Sequence, residues 1–142
     1  MSHIFEAVTH GISVKVRPVF LADHSDPAEA KYVWAYTIDV KNLSDQTVQL
    51  INRHWLITNA LGGLEEVKGP GVIGKQPTLK PNEAFNYTSF CHLKTNSGFM
   101  RGTFEMQPHP TDLKGGTQPQ PNFLIEIPTF SLDQPAEFQV LN

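Results

Sequence analysis

Tyr32-Val33-Trp34-Ala35-Tyr36-Thr37-Ile38-Asp39-Val40-Lys41 is the stretch that decides the fold. Tyr32, Trp34, Tyr36, Ile38 and Val40 fall on one side of an extended chain, and Val33, Ala35, Thr37, Asp39 and Lys41 on the other. That period of two marks a strand with one buried face, and aromatic and β-branched side chains suit such a pleated surface. Asn42-Leu43-Ser44-Asp45 supplies turn chemistry, since short polar side chains bond to local backbone groups, and Val48 through Thr58 returns as a second strand. The two make an antiparallel hairpin.

The same pattern extends outward. Gly11 opens a stretch in which Ile12, Val14 and Val16 alternate with Ser13, Lys15 and Arg17. Residues 23–29 are polar and interrupted by Pro27, which reads as a loop with a short helical turn after the proline. Downstream, strands are expected over Leu64–Lys68, Ala84–Phe90, Phe99–Gln107 and Phe123–Ile127, with turns at Asn59–Gly63 and at Lys80-Pro81-Asn82-Glu83. Pro128 forbids simple continuation of the last strand in a central sheet position. The Pro- and Gly-rich stretch 108–121 reads as a flexible hairpin tip. Seven or eight short strands without an amphipathic helix predict an all-β domain of two packed antiparallel sheets, a closed barrel being the alternative.

A chain of 142 residues is enough for one domain, 1–142, and 39% hydrophobic against 18% charged residues is enough apolar material for a core. Fourteen acidic against 11 basic residues leave a net charge of −3, and no Lys/Arg cluster offers a phosphate backbone its counter-charge, so no nucleic acid is expected as a direct partner. The single cysteine, Cys91, excludes an intrachain disulfide and a thiolate zinc site, and fits a reducing, cytoplasmic setting. Neither a basic leader with an apolar stretch nor a membrane-length apolar run is present in the sequence, so neither secretion nor membrane insertion is expected.

Four groups of residues invite a chemical reading. Gly69, Gly71 and Gly74 match G-x-G-x-x-G, but Lys75-Gln76-Pro77 and Pro81 follow where a dinucleotide site needs a helix. An anion nest built from backbone N–H groups of Gly69, Gly71, Gly74 and Lys75 is the weaker version, and glycines serving a tight loop the favoured one. In Arg53-His54-Trp55, strand alternation points His54 away from both neighbours, which favours packing over ligand binding. His24 between Asp23 and Asp26 is the densest N/O group, yet it lacks zinc-site spacing and is read as solvated; no metal site is assigned. Cys91 and His92 are adjacent, so their side chains diverge, and no third orienting group completes a nucleophile. No catalytic residue and no cofactor is assigned.

Several of these segments, in order, resemble the ApaG family: residues 32–37, Asn42-Leu43-Ser44-Asp45, Arg53-His54-Trp55, Gly69-Pro70-Gly71-Val72-Ile73-Gly74, Tyr87-Thr88-Ser89 and Ile127-Pro128-Thr129-Phe130-Ser131-Leu132. The chain departs from the family at His92, where proline is common, and in a longer 108–121 stretch. The resemblance implies an immunoglobulin/fibronectin III-like β-sandwich, use as an interaction module, an association with cobalt and magnesium homeostasis, and no established catalytic residues. The expected function is therefore that of a non-enzymatic module with a protein partner, and sheet-edge pairing could also join two copies as a homodimer. The alternative is a small-ligand sensor holding a nucleotide, pyrophosphate or metal-phosphate in the Gly69–Gly74 loop.

Overall fold

Residues 3–109 and 120–139 are described by the computed structural model, and the stretch expected as a flexible tip lies mostly outside them. Eight strands of five residues or more and one two-residue strand follow in order: β1 Phe5–Thr9, β2 Ile12–Phe20, β3 Tyr32–Asn42, β4 Val48–Asn59, β5 Leu64–Pro70, β6 Thr78–Leu79, β7 Ala84–Leu93, β8 Ser97–Pro108 and β9 Phe123–Asp133. They form two antiparallel sheets, β1-β2-β3-β7 and β5-β4-β8-β9, with β6 pairing β4 beside β5. This is the all-β sandwich expected from the alternation. A single 3-10 turn follows Pro27, over Pro27–Glu29.

The core forms where the two inner faces meet. β3 contributes Trp34, Tyr36, Ile38 and Val40, the face read from the sequence, while Val14 and Val16 of β2 and Met100, Phe104 and Met106 of β8 fill the space around them. Tyr36 spans the layers, with its ring centroid 5.6 Å from Trp55 of β4 and 5.8 Å from Phe130 of β9. Aromatic pairs at such spacing add edge-to-face attraction to burial.

Two bulges depart from simple alternation, and both change which residues face inward. On β4, Leu50 pairs with Met106 and Asn52 with Glu105, so Ile51 is an extra residue. Val48 and Leu50 are buried before it, and Trp55 and Ile57 after it. On β9, Ile127 pairs with Gly102 and Phe130 with Met100, so Pro128 and Thr129 together oppose Arg101. The strand expected to end at Ile127 therefore continues to Asp133, because a proline is tolerated at a bulge on an edge strand. The short β1 was not expected; its exposed Val8 and only partly buried Phe5, Ala7 and Thr9 give little alternation to read.

The turn after β3 is held by Asn42, which is fully buried. Its Nδ2 donates to the carbonyls of Gln46 (2.7 Å) and Leu79 (3.0 Å). Its Oδ1 accepts from the Ser44 N–H (2.9 Å) and hydroxyl (2.6 Å). Replacing the amide strands two carbonyls and an N–H, so Asn42→Ala is expected to lower unfolding free energy by about 3 kcal/mol in urea titration.

Candidate functional site

The two margins of the sandwich differ. On one, β1 and β2 pack against β9, and the Glu126 N–H donates to Thr9 Oγ1 at 3.1 Å. On the other, β7 and β5 leave between them a cleft of about 380 Å³. Its floor is Tyr36, Trp55 and Met100; Tyr87, Ser89 and Cys91 of β7 form one wall, and Glu65 and Val67 of β5 the other. Strand pairing explains these positions, since directly opposed residues share a face. Tyr87, Ser89 and Cys91 oppose Ile38, Tyr36 and Trp34, while Glu65, Val67 and Gly69 oppose Ile57, Trp55 and Arg53.

Because of the bulge at Ile51, Arg53 lies on the inner parity of β4 and enters this cleft. Its guanidinium passes over Gly69, where a Cβ would come within 3.0 Å of both terminal nitrogens. One of them, Nη1, donates to the carbonyls of Pro70 and Gly71, each at 3.0 Å. The same bulge presents the Ile51 carbonyl, which accepts the Gly71 N–H at 2.8 Å and the Gln76 side-chain amide at 2.9 Å. Val72 and Lys75 exchange N–H donors and carbonyl acceptors at 2.8 and 2.9 Å. Ile73 and Gly74, with φ of 44° and 77°, complete a type I′ turn between them.

Each glycine of the Gly69–Gly74 motif thus has a local structural reason. Gly69 makes room for Arg53, Gly71 combines φ of +61° with a Cβ position 2.2 Å from the Lys75 carbonyl oxygen, and Gly74 occupies a positive-φ turn site in open space. The N–H groups of Val72 and Lys75 are taken up within the loop and that of Gly71 by the Ile51 carbonyl of β4. Ile73 is unusual, since a β-branched residue at positive φ carries strain, and its side chain is 55% exposed at the cleft mouth.

The remaining sequence candidates separate. His54 points outward, with Nε2 2.6 Å from Glu66 Oε2. This bond, then the Lys68 charge, holds the Glu66 carboxyl below its ordinary range. Cys91 faces the cleft and His92 the outer surface, as alternation requires, and Sγ has the His92 carbonyl at 3.9 Å. Burial first, and the Glu65 charge second, push the Cys91 thiol up to about 12. Burial also raises Tyr36 and Tyr87, with the nearby Ser89 side chain opposing it at Tyr36 and the Arg53 charge opposing it in both. Among the described residues no three His, Cys, Asp or Glu side chains gather where they could hold a metal ion, and no helix is long and apolar enough to cross a membrane.

Sequence reasoning missed the cleft itself. It depends on Arg53 lying with Trp55 and Tyr87 on inner faces of different strands, and the alternation gave only the first of those relations.

The ApaG domain family model matches residues 22–108. Protein ApaG of Brucella anthropi is 48% identical over 139 residues, covering 98% of this chain and all of that protein. Protein ApaG of Mesorhizobium japonicum is 47% identical over the same span. A crystal structure of an ApaA protein from Bordetella pertussis superposes with a TM-score of 0.79 at 38% identity, over 88% of this chain and 94% of that one.

Two measurements check the site geometry. Gly71→Ala is expected to cost at least about 2 kcal/mol, since it adds a backbone collision to an unfavourable φ, whereas Gly74→Ala, in open space, should cost only about 1 kcal/mol. Urea titration of both variants decides it, and equal costs would refute the distinction. The second is alkaline. The folded thiol and phenols stay neutral above the pH at which the unfolded chain ionises, so their stabilisation is whole below about pH 8.5 and is lost as pH rises toward 12. The urea midpoint should hold from neutrality to that point and then fall, and Cys91→Ala should make the fall shallower.

Proposed function

The chain belongs to the ApaG domain family, and from that premise we propose that it is a non-enzymatic binding module which takes an extended segment of a partner protein along β7, beside the cleft. The observation that supports this is the character of the four sheet edges. Exposed edge strands invite foreign pairing, and proteins blunt them with charge, proline, bulges or shortness. β1 has five residues and carries Glu6; β9 carries Glu126, Pro128, a bulge and Asp133; β5 carries Glu65, Glu66, Lys68 and Pro70. β7 has ten residues in unbroken register with β3, and it contains no proline, glycine, Asp, Glu, Lys or Arg.

The outer face next to this edge carries an apolar row as well. Val19, Ala35 and Phe90 form one cross-strand row, and Phe90 is 65% exposed at the edge itself. An added strand would find main-chain groups to pair with, an apolar row on one side and the cleft on the other, which is how strand addition combines affinity with side-chain selection. In cobalt and magnesium homeostasis, such a module would act through the protein it binds.

A photo-crosslinking side chain placed at Phe90 tests this in the native cell, with the same group at Leu124 as the control, since Leu124 is an exposed apolar residue of β9. A discrete protein adduct is expected from Phe90 alone, and Phe90→Lys should abolish capture reported from Thr88. Identical adducts from both positions, or none from Phe90, would overturn the assignment to β7.

A further inference from the structure

Resting on that strand-addition reading, the two walls of the cleft specify the chemistry of the segment. Arg53 reaches into it half-buried and forms no ion pair among the described residues; its two bonds to carbonyls both leave from Nη1. A guanidinium drawn out of water without a carboxylate is costly, and its remaining fork geometry matches one. Glu65, also without an ion-pair partner among the described residues, stands on the opposite wall four residues from Gly69, the residue that Arg53 opposes. Four residues of strand separate the two charged positions by roughly 13 Å. Trp55, Val67 and Ser89 lie between them.

The charges also have a direction along β7. Glu65 lines a second hollow with His92 and Leu93 at the end of β7, and Arg53, opposite Gly69, stands four residues of β5 away from it, so the carboxylate marks the end of the β7 segment Tyr87–Cys91 and the cation its start. Every ladder in both sheets is antiparallel, and antiparallel pairing is the more stable per residue. An antiparallel segment runs from Glu65 towards Arg53 and presents alternate side chains to the cleft.

We propose that the cleft selects an extended peptide segment reading basic-x-apolar-x-acidic from N to C, its basic side chain meeting Glu65, its apolar one packing against the Trp55–Val67 pair, and its carboxylate pairing with Arg53. The outward residues face the Phe90 row and are less restricted. Charge placement of this kind fixes direction and register, because reversing the segment sets like charges against each other at both ends.

Two heptapeptides of identical composition test it, Thr-Lys-Thr-Leu-Thr-Glu-Thr and Thr-Glu-Thr-Leu-Thr-Lys-Thr, each blocked at both ends and titrated into the full chain labelled with nitrogen-15. The first is expected to bind about tenfold tighter and to move the amides of β7 and the Arg53 Nε–H signal. Glu65→Lys leaves the exposed β5 backbone intact and should erase most of that preference, while Arg53→Gln should weaken the first peptide and, by removing a like charge, tighten the second. Equal affinities, binding by neither peptide at millimolar concentration, or shifts confined to the β1–β9 margin would overturn the proposal. So would movement of the Arg53 signal by inorganic phosphate or pyrophosphate alone, which would make the guanidinium a site for a free anion. If crosslinking from Phe90 persists while both peptides fail, strand addition survives and the charge pattern falls. If both experiments fail, both readings fall together.

Discussion

One extra residue in β4, Ile51, governs the arrangement of this molecule. A strand without it would keep Val48 and Leu50 on the same face as Asn52 and His54, and would turn Trp55 and Ile57 outward, because a strand reverses its facing at every residue. With the bulge, Leu50 on one side and Trp55 on the other both reach the core. Arg53 comes inward with Trp55, and the Ile51 carbonyl, displaced from the regular ladder, is free to accept the Gly71 N–H and the Gln76 amide. Arg53 returns two bonds to the carbonyls of the same loop. The glycine loop is thus clipped to the bulge from both sides, and the wall of the cleft stands where the bulge sets it.

The asymmetry of the two margins follows from what each edge is made of. A bulged, proline-containing β9 meets a five-residue β1, so neither offers a long regular ladder to another chain. Across the molecule, β7 is regular throughout and uncharged apart from the titratable His92. Ile73 points the same way: type I′ turns favour asparagine or glycine at that site, and a β-branched side chain there sacrifices stability. Here the broken local rule places an apolar side chain at the mouth of the cleft.

How far the sequence could be read is set by what alternation encodes. The inward face of β3 was legible residue by residue, because Trp34, Tyr36, Ile38 and Val40 are apolar and their neighbours mixed. The bulges were not, since a change of parity between Leu50 and Trp55 looks like an imperfect repeat until a partner strand reveals the extra residue. Reading Gly71 and Gly74 as loop glycines agreed with their place in the chain, whereas Gly69, expected in the same loop, lies in β5, whose pairing with β4 runs on to Pro70. Their separate reasons, a guanidinium, a carbonyl and a turn, depend on residues up to 16 positions away, since Arg53 sits opposite Gly69. Likewise the pairing of β7 with β3, and hence its exposure as an edge, is a topological fact that no local pattern carries.

The electrostatics of the cleft are simple because few of its groups carry charge. Tyr36, Tyr87 and Cys91 are neutral near pH 7 even in water, and desolvation extends that neutrality further into the alkaline range. Had the thiol or either phenol been ionised, a negative charge would stand next to Arg53 or Glu65 and blur the contrast between them. What remains is a neutral, largely apolar channel with a fixed cation near one end and a carboxylate near the other. In such a channel the apolar middle supplies attraction whichever way a chain enters, so it is the charged ends that distinguish one direction from its reverse. Arg53 is half-buried and so less screened by water, which gives its charge a longer reach in the channel than that of the exposed Glu65 carboxylate.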